Sequence, residues 1–312
     1  MGNDFASYLE KYKSWRDLTG FLKGVHFGKK KTTLYTFIKV FFISLYKDDI
    51  LEIAKGIAYN FTLAIFPAII VLFALIPYFP IPDLSETVLG FIEGIDLEVL
   101  DQVTPTVEDI INTPRGGLLS FSFLFAFYLA TNGTLTLMNA FDLCYKTKYT
   151  RSYFKRYFIA GGLTILLVVT MSFSMILLIG GQIALKLLVD FGILTESFLI
   201  FLITALRFIV LFAMFLMAMS FLYYFGPAVK DRWSFISPGS VVATLLVIAI
   251  SYSFSYYLAN FGQYHKFYGS IGAIIAFMIW LYLVAVVLLF GFEVNAGIDR
   301  ANHEKYVVEF EE

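Results

Sequence analysis

The stretch FLITALRFIVLFAMFLMAM, Phe201–Met219, is apolar throughout apart from Thr204 and Arg207. As a helix it rises about 28 Å, close to the hydrocarbon thickness of a bilayer. A guanidinium is costly in lipid and in a dry core alike, so what surrounds this stretch decides how Arg207 is read.

The rest of the chain identifies the solvent. Of 312 residues, 59% are hydrophobic and 15% charged, with a mean hydropathy of +0.77. Soluble domains run about 45–50% apolar and about 25% charged. Here the apolar residues lie in long blocks, the pattern of a polytopic membrane protein rather than of a soluble enzyme. Net charge is −1 and says nothing of partners. Cys144 is alone, so no intrachain disulfide is expected. The first 30 residues are polar and lack the short apolar core of a cleaved signal peptide.

Six blocks reach spanning length: Gly56–Tyr78, Leu118–Leu143, Tyr157–Gly180, Phe198–Phe225, Pro238–Asn260 and Ile271–Phe292. Lipid offers no partners for backbone groups, so helices are the expected solution. The fold class is an all-α polytopic bundle of six transmembrane helices. Lysine and arginine set its orientation. Residues 1–55 carry ten, 144–156 five, 226–237 two and the tail after Phe292 two, whereas the loops 79–117, 181–197 and 261–270 carry one each. Both termini are therefore expected in the cytoplasm. The domain plan is a cytoplasmic segment 1–33, an amphipathic interfacial helix 34–55, a membrane domain 56–292 and a cytoplasmic tail 293–312.

Within 34–55, Leu34, Phe37, Ile38, Phe41 and Leu45 recur at helical spacing, while Lys47-Asp48-Asp49 disfavour a seventh span. Lys29-Lys30-Lys31 suit anionic headgroups at the cytoplasmic face. Membrane lipids are thus the expected partners, and nucleic acid is not. The outer loop 79–117 holds eight acids, from Asp83 to Asp109, against Arg115 alone. It reads as a solvated outer cap, with a cation-gathering lid as the alternative. Its apolar pairs Val88-Leu89, Phe91-Ile92 and Val99-Leu100 predict some ordered helix. No internal repeat is visible, which weakens the inverted-repeat plan of many transporters.

Four segments, AYNFTLAIFPAIIVLFAL (Ala58–Leu75), LMNAFDLCYKTKYTRSYFKRY (Leu137–Tyr157), YYFGPAVKDRWSFISPGSVVATLL (from Tyr223) and FYGSIGAIIAFMIWLYLVAVVLLFGFEVNA (from Phe267), resemble in order and spacing the YihY/BrkB family of bacterial inner-membrane proteins. The resemblance covers residues 35–298. It implies a six-helix protein of the bacterial cytoplasmic membrane without a settled activity. Members have carried the labels ribonuclease BN and virulence factor. A nuclease needs an acidic metal cluster or a histidine pair beside a basic groove, and His26, His265 and His303 lie far apart. No metal, cofactor or catalytic residue is expected. The family usually has Asn where this chain has Asp142, so a role that needs a neutral amide does not carry over there.

Arg207 lies nine residues beyond Phe198, about 13 Å into its helix and in the outer half of the membrane. It either bonds freed backbone carbonyls or snorkels outward, or it forms a site, open to the outside, for an anion or headgroup that its planar fork grips. Pro67 frees the carbonyl of Leu63 and is expected to kink the first span. Asn132 and Gly133 can break the second span into half-helices whose ends bind ions; alternatively, Gly133 permits close packing. At the cytoplasmic ends, Asp142 and Glu293 are set against Lys55, Arg151, Lys155, Arg156 and Arg232. Two roles are open for them, a salt-bridge cluster that locks the helices and a gate that breaks and reforms during transport. Glu293 holds the acidic position of the family's closing motif, here GFEVNAG. Gly269, Gly272, Ala273 and Ala276 place small residues on one face of the sixth span.

These features point to a transporter-like protein for a lipid-linked or amphipathic anion. One alternative is a non-transporting scaffold for envelope biogenesis, expected to pack without a central cavity. A membrane enzyme is the other, and no convergent set of nucleophile, base or metal ligands can be assembled for it.

Overall fold

A computed structural model describes residues 26–27, 32–47, 49–78, 86, 98–145, 151–191, 197–229, 233–261 and 264–302. The lysine run 29–31, the apolar pairs 88–89 and 91–92, Arg232 and the tail from 303 lie outside the described residues. A two-residue ribbon pairs β1 (His26–Phe27) antiparallel with β2 (Thr32–Thr33). The remaining elements among the described residues are helical. They are α1 (Leu34–Lys47), α2 (Ile50–Leu75, continued by the 3-10 turn Ile76–Tyr78), α3 (Glu98–Asn112), α4 (Gly116–Tyr145), α5 (Tyr153–Asp190), α6 (Ser197–Phe225), α7 (Pro238–Phe261) and α8 (Tyr264–Asn302). Six of these, α2 and α4 to α8, are long and apolar enough to cross a membrane. The fold is the expected all-α polytopic bundle.

Neighbouring spans form a closed ring in the order α2, α4, α5, α6, α7, α8 and back to α2, with α8 also reaching α4. The buried core of this ring lies in the cytoplasmic half of each span. It runs from Ile50, Ala54 and Ile57 through Leu137, Met138 and Phe141 to Leu222, Tyr223, Ala243, Leu289 and Phe292. Phe141 and Phe292 stack with ring centroids 4.4 Å apart, and Tyr223 meets both edge-on. The Tyr223 hydroxyl donates to the carbonyl of Leu288 at 2.7 Å, so its polar end is satisfied where water is absent. These rings close the middle of the bundle on its cytoplasmic side.

Three boundaries differ from those read in the sequence. The amphipathic helix ends at Lys47, not at 55. Asp49 takes a left-handed conformation (φ 43, ψ 44), which a continuing helix cannot hold, and its carbonyl accepts the first amides of α2, Glu52 at 2.9 Å and Ile53 at 3.1 Å. Residues 50–55 therefore belong to the first span, where Ile50 and Ala54 are buried. α1 is too short to cross the membrane. It packs on α8, with Phe41 edge-on to Phe290 at 5.1 Å and Phe37 against Gly297. The sixth span does not stop at Phe292, because α8 continues to Asn302. Its polar residues are answered by neighbours: Asn295 by α7, Asp299 by the Tyr145 hydroxyl, and Arg300 by α1 and α4. α4 is unbroken through Asn132 and Gly133, against the half-helix alternative. A Cβ on Gly133 would lie 3.1 Å from the Phe61 ring, so this glycine serves close packing of α4 on α2.

In the outer loop, α3 is the ordered helix that Val99-Leu100 foreshadow. It buries Val107 and Ile111 against the outer end of α2, and Arg115 pairs with Asp109 at 2.6 Å.

Candidate functional site

Arg207 is 8% exposed and lies at the α5–α6 contact, where a Cβ on Gly181 would come within 3.0 Å of its Cδ. Its guanidinium carbon sits 5.3 Å from the Phe208 ring centre. The side chain is thus held inside the bundle and not in acyl chains, in keeping with the cost of a bare cation at that depth.

Among the described residues the cytoplasmic charges fall into several arrangements. Arg156 donates to Asp142 Oδ2 at 2.6 Å, while Asp142 Oδ1 accepts the Ala228 amide at 2.7 Å, tying α4 and α5 to the segment after α6. Arg151 donates to the carbonyls of Phe225 and Gly226 at 2.9 and 3.0 Å and also to that of Pro227, so it caps the end of α6. Lys55 pairs with Glu52 at 2.7 Å on the exposed side of α2. Lys155 is exposed. Glu293, fully buried, pairs with Arg300 at 3.0 Å two turns along its own helix. Arg300 donates further to Ser44 Oγ of α1 and to the Cys144 carbonyl of α4.

A polar cavity of about 380 Å³ lies among α2, α4 and α5, lined by Asn60, Asn132, Thr136, Asn139, Arg156 and Tyr157, with Leu135 and Tyr153. The Tyr157 hydroxyl donates to Asn132 Oδ1 at 3.0 Å. Asn60 Nδ2 donates to the Gly56 carbonyl at 2.9 Å and to Thr136 Oγ1 at 3.1 Å, and Thr136 donates to the Asn132 carbonyl at 2.9 Å. The other half of each amide, and the whole of the exposed Asn139, makes no hydrogen bond among the described residues. Asn60 and Tyr157 lie within the first and third spans, close to their cytoplasmic ends, so the cavity sits at the depth of the inner leaflet. Of the residues singled out in the sequence, Asn132 and Arg156 meet here, while Pro67, Gly133 and Arg207 do not line it. Asn60, Thr136, Asn139 and Tyr157 went unnoticed. Their signal was present as amides and hydroxyls inside apolar blocks at one depth, counted from the basic loop.

Fold and site together define a multi-pass helical protein of the bacterial cytoplasmic membrane. The family described as Virulence factor BrkB matches residues 41–310, and the chain belongs to that family. It is similar to a Bacillus subtilis (strain 168) protein named putative ribonuclease-like protein YfkH, 33% identical over 78% of this chain and 88% of the relative. It is similar also to the UPF0761 membrane protein lpg0643 of Legionella pneumophila, 24% identical over 89% of this chain and 66% of that one, and to a UPF0761 membrane protein of Tolumonas auensis, 37% identical over 25% of this chain and 26% of the relative. No solved structure matches. The ribonuclease-like wording belongs to YfkH. Among the described residues, no three His, Cys, Asp or Glu side chains gather in a group that could hold a metal ion.

Proposed function

We propose that this membrane protein is transporter-like and moves a lipid-linked or amphipathic anion between the leaflets of the cytoplasmic membrane. The observation that carries the proposal is the contrast between the two halves of α7 and α8. On the cytoplasmic side every span contributes buried residues, from Ile50 on α2 to Ala296 on α8. On the outer side, none of residues 248–258 of α7 and none of 274–284 of α8 is buried. A helix packed against neighbours along one face buries a residue in nearly every turn. Three turns without one leave the outer halves of α7 and α8 no more than half-buried, with Trp280 Nε1 donating to Ser251 Oγ between them.

A path closed at one end and open at the other is what alternating access requires. Two polar stations flank it, the amide-lined cavity at inner-leaflet depth and Arg207 in the outer half. A scaffold packed along its whole length draws support from the dense cytoplasmic half and from the buried outer residues of α2, α5 and α6, and none from the outer halves of α7 and α8.

The test is translocation of a fluorescent anionic phospholipid in proteoliposomes, read by quenching from outside. The protein is expected to exchange label well above protein-free vesicles, and Arg207→Ala to slow exchange at least tenfold while still folded. Exchange no faster than in empty vesicles overturns the proposal.

A further inference from the structure

We infer that the cavity among α2, α4 and α5 binds a phosphodiester whose other substituent carries neutral hydroxyls, as in a glycerol- or sugar-bearing lipid headgroup. This rests on the transport reading only for the purpose of the site, not for its chemistry. The lining supplies three amides, one threonine hydroxyl and two tyrosines around a single cation, Arg156. Amides both donate and accept, which suits hydroxyl groups. The exposed ring of Tyr153, tilted against Tyr157 with centroids 4.8 Å apart, offers an apolar face to the C–H side of a polyol.

Charge narrows the class. Arg156 spends one Nη2 bond on Asp142, so the pair presents less than a full positive charge. An ion pair with no net charge tolerates the single charge of a diester better than the two charges of a phosphate monoester. A headgroup ammonium would need a carboxylate, and Asp142, which could supply one, already accepts from Arg156 and the Ala228 amide. The volume of about 380 Å³ lies in the range of small-molecule sites and exceeds what a bare phosphate fills. The hydrogen-bonding capacity left over on Asn60, Asn132 and Asn139 points into this space. At inner-leaflet depth such capacity is costly unless something polar occupies it.

The experiment is native mass spectrometry of the purified full chain in detergent, offered phosphatidylglycerol, phosphatidylethanolamine or phosphatidic acid, with soluble glycerophosphoglycerol as a further arm. Phosphatidylglycerol is expected to be retained at least fivefold over the other two lipids. Asn139→Ala, at the mouth and without internal bonds, is expected to lower that retention about fivefold with no change in melting temperature, and Asn132→Leu to lower it as much with a lower melting temperature, since it also removes the acceptor of the Tyr157 hydroxyl. If millimolar glycerophosphoglycerol displaces the lipid, the site reads the soluble diester as well, and if it does not, the acyl chains hold part of the affinity; both uphold the chemistry. Equal retention of the three lipids, or retention unchanged in both variants, overturns it. Selective binding without leaflet exchange removes the transport reading and leaves the site, whereas exchange without selectivity does the reverse.

Discussion

Glu293→Leu is expected to lower the melting temperature of the detergent-solubilised protein by on the order of 10 °C, and Arg300→Met by more. Glu293 is fully buried and Arg300 is 6% exposed, so either single change strands the other charge away from water. Removing one partner of such a pair costs about 3–5 kcal/mol. The arginine change costs more than the pair alone, because Arg300 also donates to Ser44 and to the Cys144 carbonyl and so joins α1, α4 and α8. The double variant Glu293→Leu/Arg300→Met is expected to recover part of the loss, since an apolar pair leaves no bare charge. Cys144, buried and the single cysteine of the chain, reports the transition through a thiol-reactive dye. Single variants that melt with the native protein contradict a structural lock. If they fold normally and lose leaflet exchange alone, the pair is a gate instead.

Gly239→Ala is expected to cost about 3 kcal/mol, the upper end of overpacking, although alanine normally stabilises a helix over glycine by about 0.5–1 kcal/mol. Contact distance decides the sign. A Cβ on Gly239 would stand 2.1 Å from the Gly291 carbonyl oxygen and 2.6 Å from Asn295 Cγ. A Cβ on Gly291 would meet the Ala243 Cβ and the Tyr223 hydroxyl, each at 2.6 Å. The nearest atom to Gly239 is backbone, so α7 and α8 must separate, which breaks the bond from the Gly239 amide to Asn295 Oδ1. Gly162, with nothing within 4 Å of its would-be Cβ, is the control, and Gly162→Ala is expected to melt at or slightly above the native temperature. The same dye assay ranks the variants, and a Gly239→Ala protein as stable as Gly162→Ala refutes the close crossing.

The six spans were legible because each is an unbroken apolar block and lipid admits no other backbone solution. The start of α7 was legible too, through Pro238-Gly239 after Ser237, whose hydroxyl caps the Ser240 amide at 3.2 Å. What failed depends on partners distant in sequence. Asn295, Asp299 and Arg300 fall in what reads as a cytoplasmic tail, but their partners on α1, α4 and α7 are between 56 and 256 residues away. Hydropathy counts such residues as polar whether or not they are answered. The Glu293–Arg300 pair was within reach, since a seven-residue spacing returns to nearly the same face of a helix. Reading the acid against basic loops on other spans hid it. Asn132 was noticed as a helix breaker, a local property, whereas its place beside Asn60 and Tyr157 depends on how α2, α4 and α5 register.

The proposed opening of the bundle to the outside along α7 is tested most directly by cysteine scanning of α7 from Ala243 to Tyr257 in a Cys144→Ala background, with a membrane-impermeant maleimide applied from the outside of intact cells. The expected result is labelling at positions three or four apart between Ile250 and Tyr257, on the face turned to the ring, and none at Ala243, Thr244 or Val247. An absence of labelling throughout 250–257, or equal labelling at 243–247, contradicts it.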